Sequence, residues 1–204
     1  MGRGLDSRTD ADDGRRKVKT AFPILAGLLR AGPSPSRRGV STPSDPAFDI
    51  PAYRRALGGF ATGVCVVTAH TGEGPLGITI NSFTSVSLSP PLVLWCLDRA
   101  SDRHAAFASA DRFAVHMLPA EDREMSDRFA WGVCRLSSDE FDSSSAEPPR
   151  LKNALTRLDC VATDRIVMGD HLTIVGAVRN FETAAGPALV YYRGRYGVVP
   201  EPET

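Results

Sequence analysis

Long apolar runs are missing from this chain, and so are the paired cysteines and histidine clusters that hold metals. No apolar stretch within its 204 residues reaches the roughly 20 residues a membrane-spanning helix needs. An excess of one charge is missing too. The 24 Lys and Arg balance 24 Asp and Glu, which argues against a nucleic-acid footprint or a polybasic membrane surface. The four cysteines, Cys65, Cys96, Cys134 and Cys160, lie far apart, with no C-x-x-C pair and no histidine at ligand spacing. That argues against structural zinc and for reduced thiols in a cytoplasmic protein, three of them sitting in apolar runs as small core residues. No G-x-S-x-G, Walker loop or H-E-x-x-H occurs, and no helix follows the GxG patterns at the place a dinucleotide fingerprint requires. A protein nucleophile or a metal centre therefore has little support.

The length suits one sizeable core. Residues 1–47 are rich in Arg, Asp, Ser, Gly and Pro, a composition that predicts a disordered extension. Basic residues before AFPILAGLL suggest the start of a signal peptide. Against export, an acidic, Arg-rich leader stands in front, and Arg30 follows where a small-residue cleavage site belongs. The folded domain is expected over 48–204.

Pro51 at a first helical position, then AYRRAL and two glycines, predicts a short helix. A β-branched run at 64–70 and a turn at TGEGP predict a hairpin. Ser101 or Asp102 is expected to cap a second helix, and 120–132 a third, with Met125 and Phe129 on one face. Residues 137–150 read as a polar surface loop, a candidate lid. Residues 154–182 alternate through what reads as three short strands, with turn residues at Asp164 and Arg165 and again at Gly169 and Asp170. Strands dominate without a βαβ rhythm. The expected fold is mainly β with short helices, an antiparallel barrel or sandwich.

The chain is organised around residues 77–98, GITINSFTSVSLSPPLVLWCLD. Five hydroxyl or amide side chains stand between a β-branched run and an apolar run that reads as a strand buried on both faces. Buried polar groups need partners, and a flat heteroaromatic ligand with polar edges would supply them. The alternative is a Ser/Thr-rich turn whose hydroxyls bond their own backbone. The loop 98–103 follows, with Arg99, Ser101 and Arg103 forming a candidate phosphate cradle. The alternative there is that both arginines are solvated and paired with Asp98 and Asp102. Gly169-Asp170-His171 marks a tight turn whose histidine could face a pocket; a turn aspartate and an edge-strand histidine are the plainer reading. Tyr191, Tyr192, Arg193, Arg195 and Tyr196 could stack on a ring, or cover core or a subunit interface. His116, inside FAVHML, reads as a satisfied strand residue.

The segments RRALGGFATGVCVVTA, GITINSFTSVSLSPPLVLWCL, S-x-R-H at 101–104, RFAVHML and GDHLTIVGAV, in this order and spacing, resemble the flavin reductase-like family over about 48–199. The resemblance implies a Greek-key split β-barrel of the FMN-binding type and a homodimer with flavin near the subunit interface. It implies NAD(P)H:flavin oxidoreductase activity, with hydride passing from NADH or NADPH to FMN or FAD. Reduced flavin would then serve a partner monooxygenase. By position, Thr79, Asn81, Ser82, Ser85, Val86 and Ser87 would line the isoalloxazine ring. Asp98, Arg99, Ser101 and Arg103 would surround the ribityl phosphate, and His171 would stand on the nicotinamide side as the catalytic candidate. The Tyr-Arg-Gly-Arg-Tyr segment would close over the site. Trp95 and Cys96 depart from the small or aliphatic residues expected there. A flavin-binding barrel without reductase turnover, an oxidase or a carrier, is the alternative, and a regulatory scaffold that binds no flavin is a third.

Overall fold

The computed structural model describes residues 48–132, 134–142 and 147–203, so the extension expected over 1–47 lies outside the described residues. The elements in order are α1 (Ile50–Leu57), β1 (Thr62–Gly63), β2 (Cys65–Thr71), β3 (Gly74–Ile80), β4 (Thr84–Leu88), β5 (Pro91–Asp98) and α2 (His104–Ala108). Then come β6 (Arg112–Met117), α3 (Arg123–Trp131), β7 (Phe141–Asp142), β8 (Arg150–Leu151), β9 (Thr156–Met168), β10 (His171–Thr183), β11 (Ala188–Tyr192) and β12 (Arg195–Val199). The main sheet runs β3-β2-β6-β9-β10-β5-β4, and a smaller sheet runs β1-β11-β12; every pairing in them is antiparallel. The mainly β, Greek-key expectation holds.

The main sheet curls over itself. Leu76, Ile78 and Ile80 of β3 share one cluster with Val93, Trp95 and Leu97 of β5, although the two strands lie towards opposite edges of the sheet. Phe107 and Phe113 meet the Trp95 ring edge-on, at centroid distances of 6.0 and 5.9 Å. A second cluster joins Val64 and Val66 to Phe129 of α3 and Leu189 of β11. Residues alternate along β2, so Cys65, Val67 and Ala69 face the first cluster while Val66 faces the second. That strand is buried on both faces. The strand expected to be so, β5, instead buries Val93, Trp95 and Leu97 and leaves Leu92, Leu94 and Cys96 half-buried on the outer face.

Two sequence expectations fail locally. Residues 156–183 form two 13-residue strands, not three short ones. Asp164 pairs with Val175 while Ala162 pairs with Gly176, so Thr163 is an extra residue in the ladder. A bulge bends the strand at the place where a turn was expected. The N-cap of α2 is Arg103, with no side-chain cap bond; Ser101 Oγ instead accepts the Arg103 N–H at 3.2 Å. No helix among the described residues is long and apolar enough to cross a membrane.

Candidate active site

The hairpin of β9 and β10 turns through Gly169 and Asp170, and Gly169 has φ +63. A two-residue turn needs a left-handed residue, which glycine takes without strain. The turn sets His171 opposite Met168 on one side and Asp98 of β5 on the other. Two residues further on, Thr173 stands opposite Cys96 and Ile166. Side chains alternate, so these residues share the face opposite Trp95, Leu97, Leu172 and Ile174, which fill the core. Asp98 and His171 therefore look outward from the barrel, side by side. Contacts along this face agree: Thr173 Oγ1 lies 3.6 Å from Cys96 Sγ and donates to Met168 Sδ at 3.3 Å.

One bond shapes the loop that follows β5 and another joins it to the turn. Asp98 Oδ1 accepts the Ala100 N–H at 2.8 Å, turning the chain, and the Arg99 N–H donates to the Asp170 carbonyl at 3.0 Å. Segments some 70 positions apart in sequence thus form one rim. His171 Nδ1 lies 2.7 Å from Asp170 Oδ1, and the ring is 12% exposed. Nε2 is buried and has no hydrogen-bond partner among the described residues. Sequence reading gave Asp170 only the role of turning the chain; its carboxylate also orients the imidazole. Thr173 and Met168 were not singled out, since nothing in a strand pattern marks which face a ligand would use.

The other expected residues divide. Arg99 is exposed, with no side-chain partner among the described residues, while Asn81 and Ser87 are half-buried, and Ser85 and Val86 are exposed on the edge strand β4. Val86 sits at a bulge in that strand. Ser82 Oγ accepts the Cys96 N–H at 3.0 Å and reaches the Cys96 carbonyl at 3.2 Å, latching the β3–β4 crossing to the middle of β5. Ser87 Oγ accepts the Ser89 N–H at 3.2 Å. Two residues turn away from the rim. Thr79 is 1% exposed and donates to the Ser126 carbonyl of α3 at 2.8 Å. Arg103, 7% exposed, donates from Nη1 to the Phe129 carbonyl at 2.7 Å and from Nη2 to the Gly132 carbonyl at 3.0 Å. Thr79 and Arg103 thus direct their side chains away from the rim: β3 presents Thr79 to α3, and the Arg103 fork is engaged on carbonyls.

The C-terminal aromatic segment also braces α3. Tyr196 Oη donates to Asp127 Oδ1 at 2.8 Å and lies 2.9 Å from Ser126 Oγ, and its pKa is pushed up to about 12, mainly by burial. His116 is fully buried, with Nδ1 3.2 Å from the Val66 carbonyl and Nε2 accepting the Leu151 N–H at 3.1 Å, as its strand reading implied. Burial pushes the thiols of Cys65 and Cys160 up to about 12, so neither is a nucleophile. A cavity of ≈ 330 Å³ between the β2–β3 turn and the α2–β6 junction, lined by His70, Asp111, Arg112 and Glu147, contains none of the rim residues.

Comparison with known proteins identifies the family. Residues 57–200 match the model of the flavin reductase like domain. The chain is 41% identical over 146 residues to an FMN reductase (NADH) of Agrobacterium fabrum, covering 72% of this chain and 84% of that one. It is 38% identical over 158 residues to the reductase component of a flavin-dependent trigonelline monooxygenase of Acinetobacter baylyi, covering 74% of this chain but only 50% of that longer protein. Among solved structures, the NADH:FAD oxidoreductase of Streptomyces globisporus superposes with a TM-score of 0.66 at 33% identity, over 74% of this chain and 93% of that one. A family match over most of the folded part, with this barrel and this rim, places the chain in the flavin reductase-like family of split-barrel oxidoreductases.

Proposed function

We propose that this protein uses NADH to reduce FMN, which it releases to a separate flavin-dependent monooxygenase. The observation that carries the reading is the outward rim itself. There, an imidazole oriented by the Asp170 carboxylate stands beside a loop whose Arg99 guanidinium has no side-chain partner among the described residues. The groups present suit a flavin: Asn81 and Ser85 offer polar side chains to a ring edge, and Arg99 offers a cation to a phosphate. When bound, the nicotinamide supplies a hydride and the flavin takes it, so the protein needs no strong acid or base of its own. This chain's residues hold and orient. Asp170 fixes His171, the loop 98–103 receives the phosphate end, and Cys96 and Thr173 form part of the floor. FMN ahead of FAD and NADH ahead of NADPH are supported by the name of the Agrobacterium relative, and a monooxygenase acceptor by that of the Acinetobacter one.

The active form is a homodimer in which a second copy covers the outer face of β4, β5, β10 and β9. Exposed Ile166 and Met168 on this face support that assembly. Four free cysteines support a reducing, cytoplasmic location. The test is consumption of NADH and NADPH by the purified protein with FMN, FAD or riboflavin added in turn. Flavin-dependent loss of nicotinamide absorbance, fastest with NADH and FMN, is expected. A yellow protein that oxidises neither nicotinamide would instead be a flavin-holding barrel. In His171→Ala, FMN binding stays within about twofold while turnover falls by about 10²-fold, the scale of a lost positioned proton-handling or hydrogen-bonding group. Unchanged turnover at saturating NADH removes His171 from the reaction.

A further inference from the structure

The guanidinium of Arg103 is turned inward, and what it binds connects the candidate phosphate loop to a helix. The last turn of α3 leaves carbonyls without intrahelical partners. Arg103 Nη1 donates to the Phe129 carbonyl and lies 3.5 Å from that of Ala130, while Nη2 takes the Gly132 carbonyl just past the helix end. A planar fork with fixed donor directions bridges carbonyls three residues apart; an ammonium does not. The same residue is bound at its backbone, where the Arg103 N–H donates to Ser101 Oγ. The Ser101 N–H in turn donates to the Asp98 carbonyl at 3.1 Å, and Asp98 Oδ1 holds the Ala100 N–H. The loop 98–103 is thus a chain of short bonds fastened at one end to β5 and the His171 turn and at the other to α3. Helix α3 is itself fixed, with Phe129 fully buried, Ser126 held by Thr79 and Asp127 by Tyr196.

We infer that Arg103 is a positioning residue: it does not touch the flavin phosphate but holds the loop so that the Arg99 guanidinium meets it. The inference rests on the function proposed above and reassigns one expected ligand. It leaves Arg99 as the cation on this loop that is free among the described residues, and therefore as the group that distinguishes FMN from riboflavin. The two arginines should then respond oppositely to lysine. A residue that binds phosphate through its charge tolerates lysine, since an ammonium remains a good phosphate partner. A residue that works by bridging carbonyls does not.

The experiment is titration of the full chain with FMN and with riboflavin, followed by flavin fluorescence, for the wild type and the variants R99K, R99Q, R103K and R103Q. Thermal unfolding is recorded for each. The wild type is expected to bind FMN at least tenfold more tightly than riboflavin. R99K should keep most of that preference and R99Q lose it. R103K and R103Q should both lose it, by about fivefold or more, with lowered melting temperatures. If R103Q fails to fold, R103K against R99K carries the comparison. Retained preference in R103K with loss in R103Q would mean that Arg103 binds the phosphate itself, which overturns the inference. Retained preference in both, with only a lower melting temperature, would make Arg103 a helix brace and nothing more, which also overturns it. A wild type that reduces flavin but binds FMN and riboflavin equally removes the phosphate role of the loop while leaving the reductase standing. A wild type that neither binds nor reduces flavin removes both.

Discussion

Two glycines in this barrel are held to their size by aromatic rings. A Cβ on Gly176 of β10 would lie 2.4 Å from Phe113 Cζ, and one on Gly77 of β3 would lie 2.8 Å from the Phe129 ring. Both rings are fully buried and have no room to retreat. Gly176→Ala should therefore cost about 1–3 kcal/mol by overpacking, a fall of several degrees in Tm for a domain of this size. Gly63→Ala, whose Cβ would meet nothing within 4 Å, serves as the control and should melt with the wild type. Equal melting of Gly176→Ala and Gly63→Ala would show that the contact yields. His116 makes a second residue-scale prediction. Burial pushes its pKa from 6.5 down to about 3, so below pH 6.5 the unfolded chain takes up a proton that the folded chain refuses. Stability is then constant above pH 6.5 and falls as the pH drops towards 3, by at most about 5 kcal/mol from this one group. Urea unfolding at pH 7 and pH 5 should show that loss in the wild type. His116→Phe should be weaker at pH 7, because the Val66 carbonyl and Leu151 N–H lose their partner, yet it should have a flatter slope between the two pH values. An equal slope would place the acid sensitivity elsewhere. Histidine 116 was legible in the sequence because an alternating strand pattern already set it indoors. Thr79 and Arg103 were not, because their partners are backbone carbonyls of a helix 26 or more positions away, and no side-chain pattern marks a carbonyl.

Among the elements, α3 is the point at which distant strands meet. It receives Thr79 from β3, Arg103 from the loop after β5 and Tyr196 from β12, and it sends Arg128 to Glu140 in the segment beyond it. That last pair decides the character of the polar loop. Read from composition, residues 137–150 suggested a mobile lid. In the fold, Glu140 binds the Arg128 guanidinium and accepts the Ser137 N–H at 2.7 Å, and the Leu136 N–H reaches the Pro75 carbonyl at 3.0 Å. Residues 137–142 of this loop are fastened down. The arginine holds the Glu140 carboxyl at about 2, below its usual 4.5. A depressed carboxylate stabilises the fold above pH 4.5 and ceases to do so as the pH falls towards 2. Glu140→Gln should lower the protection of the Leu136 and Ser137 amides against hydrogen exchange at neutral pH, relative to the wild type at the same pH. Unchanged exchange would mean that the Arg128 contact does not hold the segment. The hairpins and the three short helices were legible because period and punctuation mark them. The bulge at Thr163 was not: an extra residue in a ladder looks, in one dimension, like the start of a turn.

For the whole molecule, the question is what covers the outer face. Strand β4 is an edge without a single charge, TSVSL, and unprotected edges of this kind invite pairing unless they are covered. On the outer face Met168 is 61% exposed at the β9 side and Thr84 is exposed on β4, with half-buried Leu92, Leu94 and Cys96 between them. The candidate site shares this surface, since His171, Thr173 and Cys96 occupy its rows. A stable association of two copies would bury on the order of 1,600 Å² in total, enough to take in β4 and the tip of the β9–β10 hairpin together. Burying a second copy there would also exclude water from one side of a bound ring. Assembly and flavin affinity should therefore fall together. Thr84→Lys with Ile166→Lys, both exposed on the outer face and neither packed in the core, is expected to give a monomer by light scattering, with Tm within a few degrees of the wild-type barrel and FMN binding weakened at least tenfold. A variant that stays dimeric moves the interface to another face. A monomer that binds FMN as tightly as the wild type separates the flavin site from the interface and returns it to the rim of a single barrel.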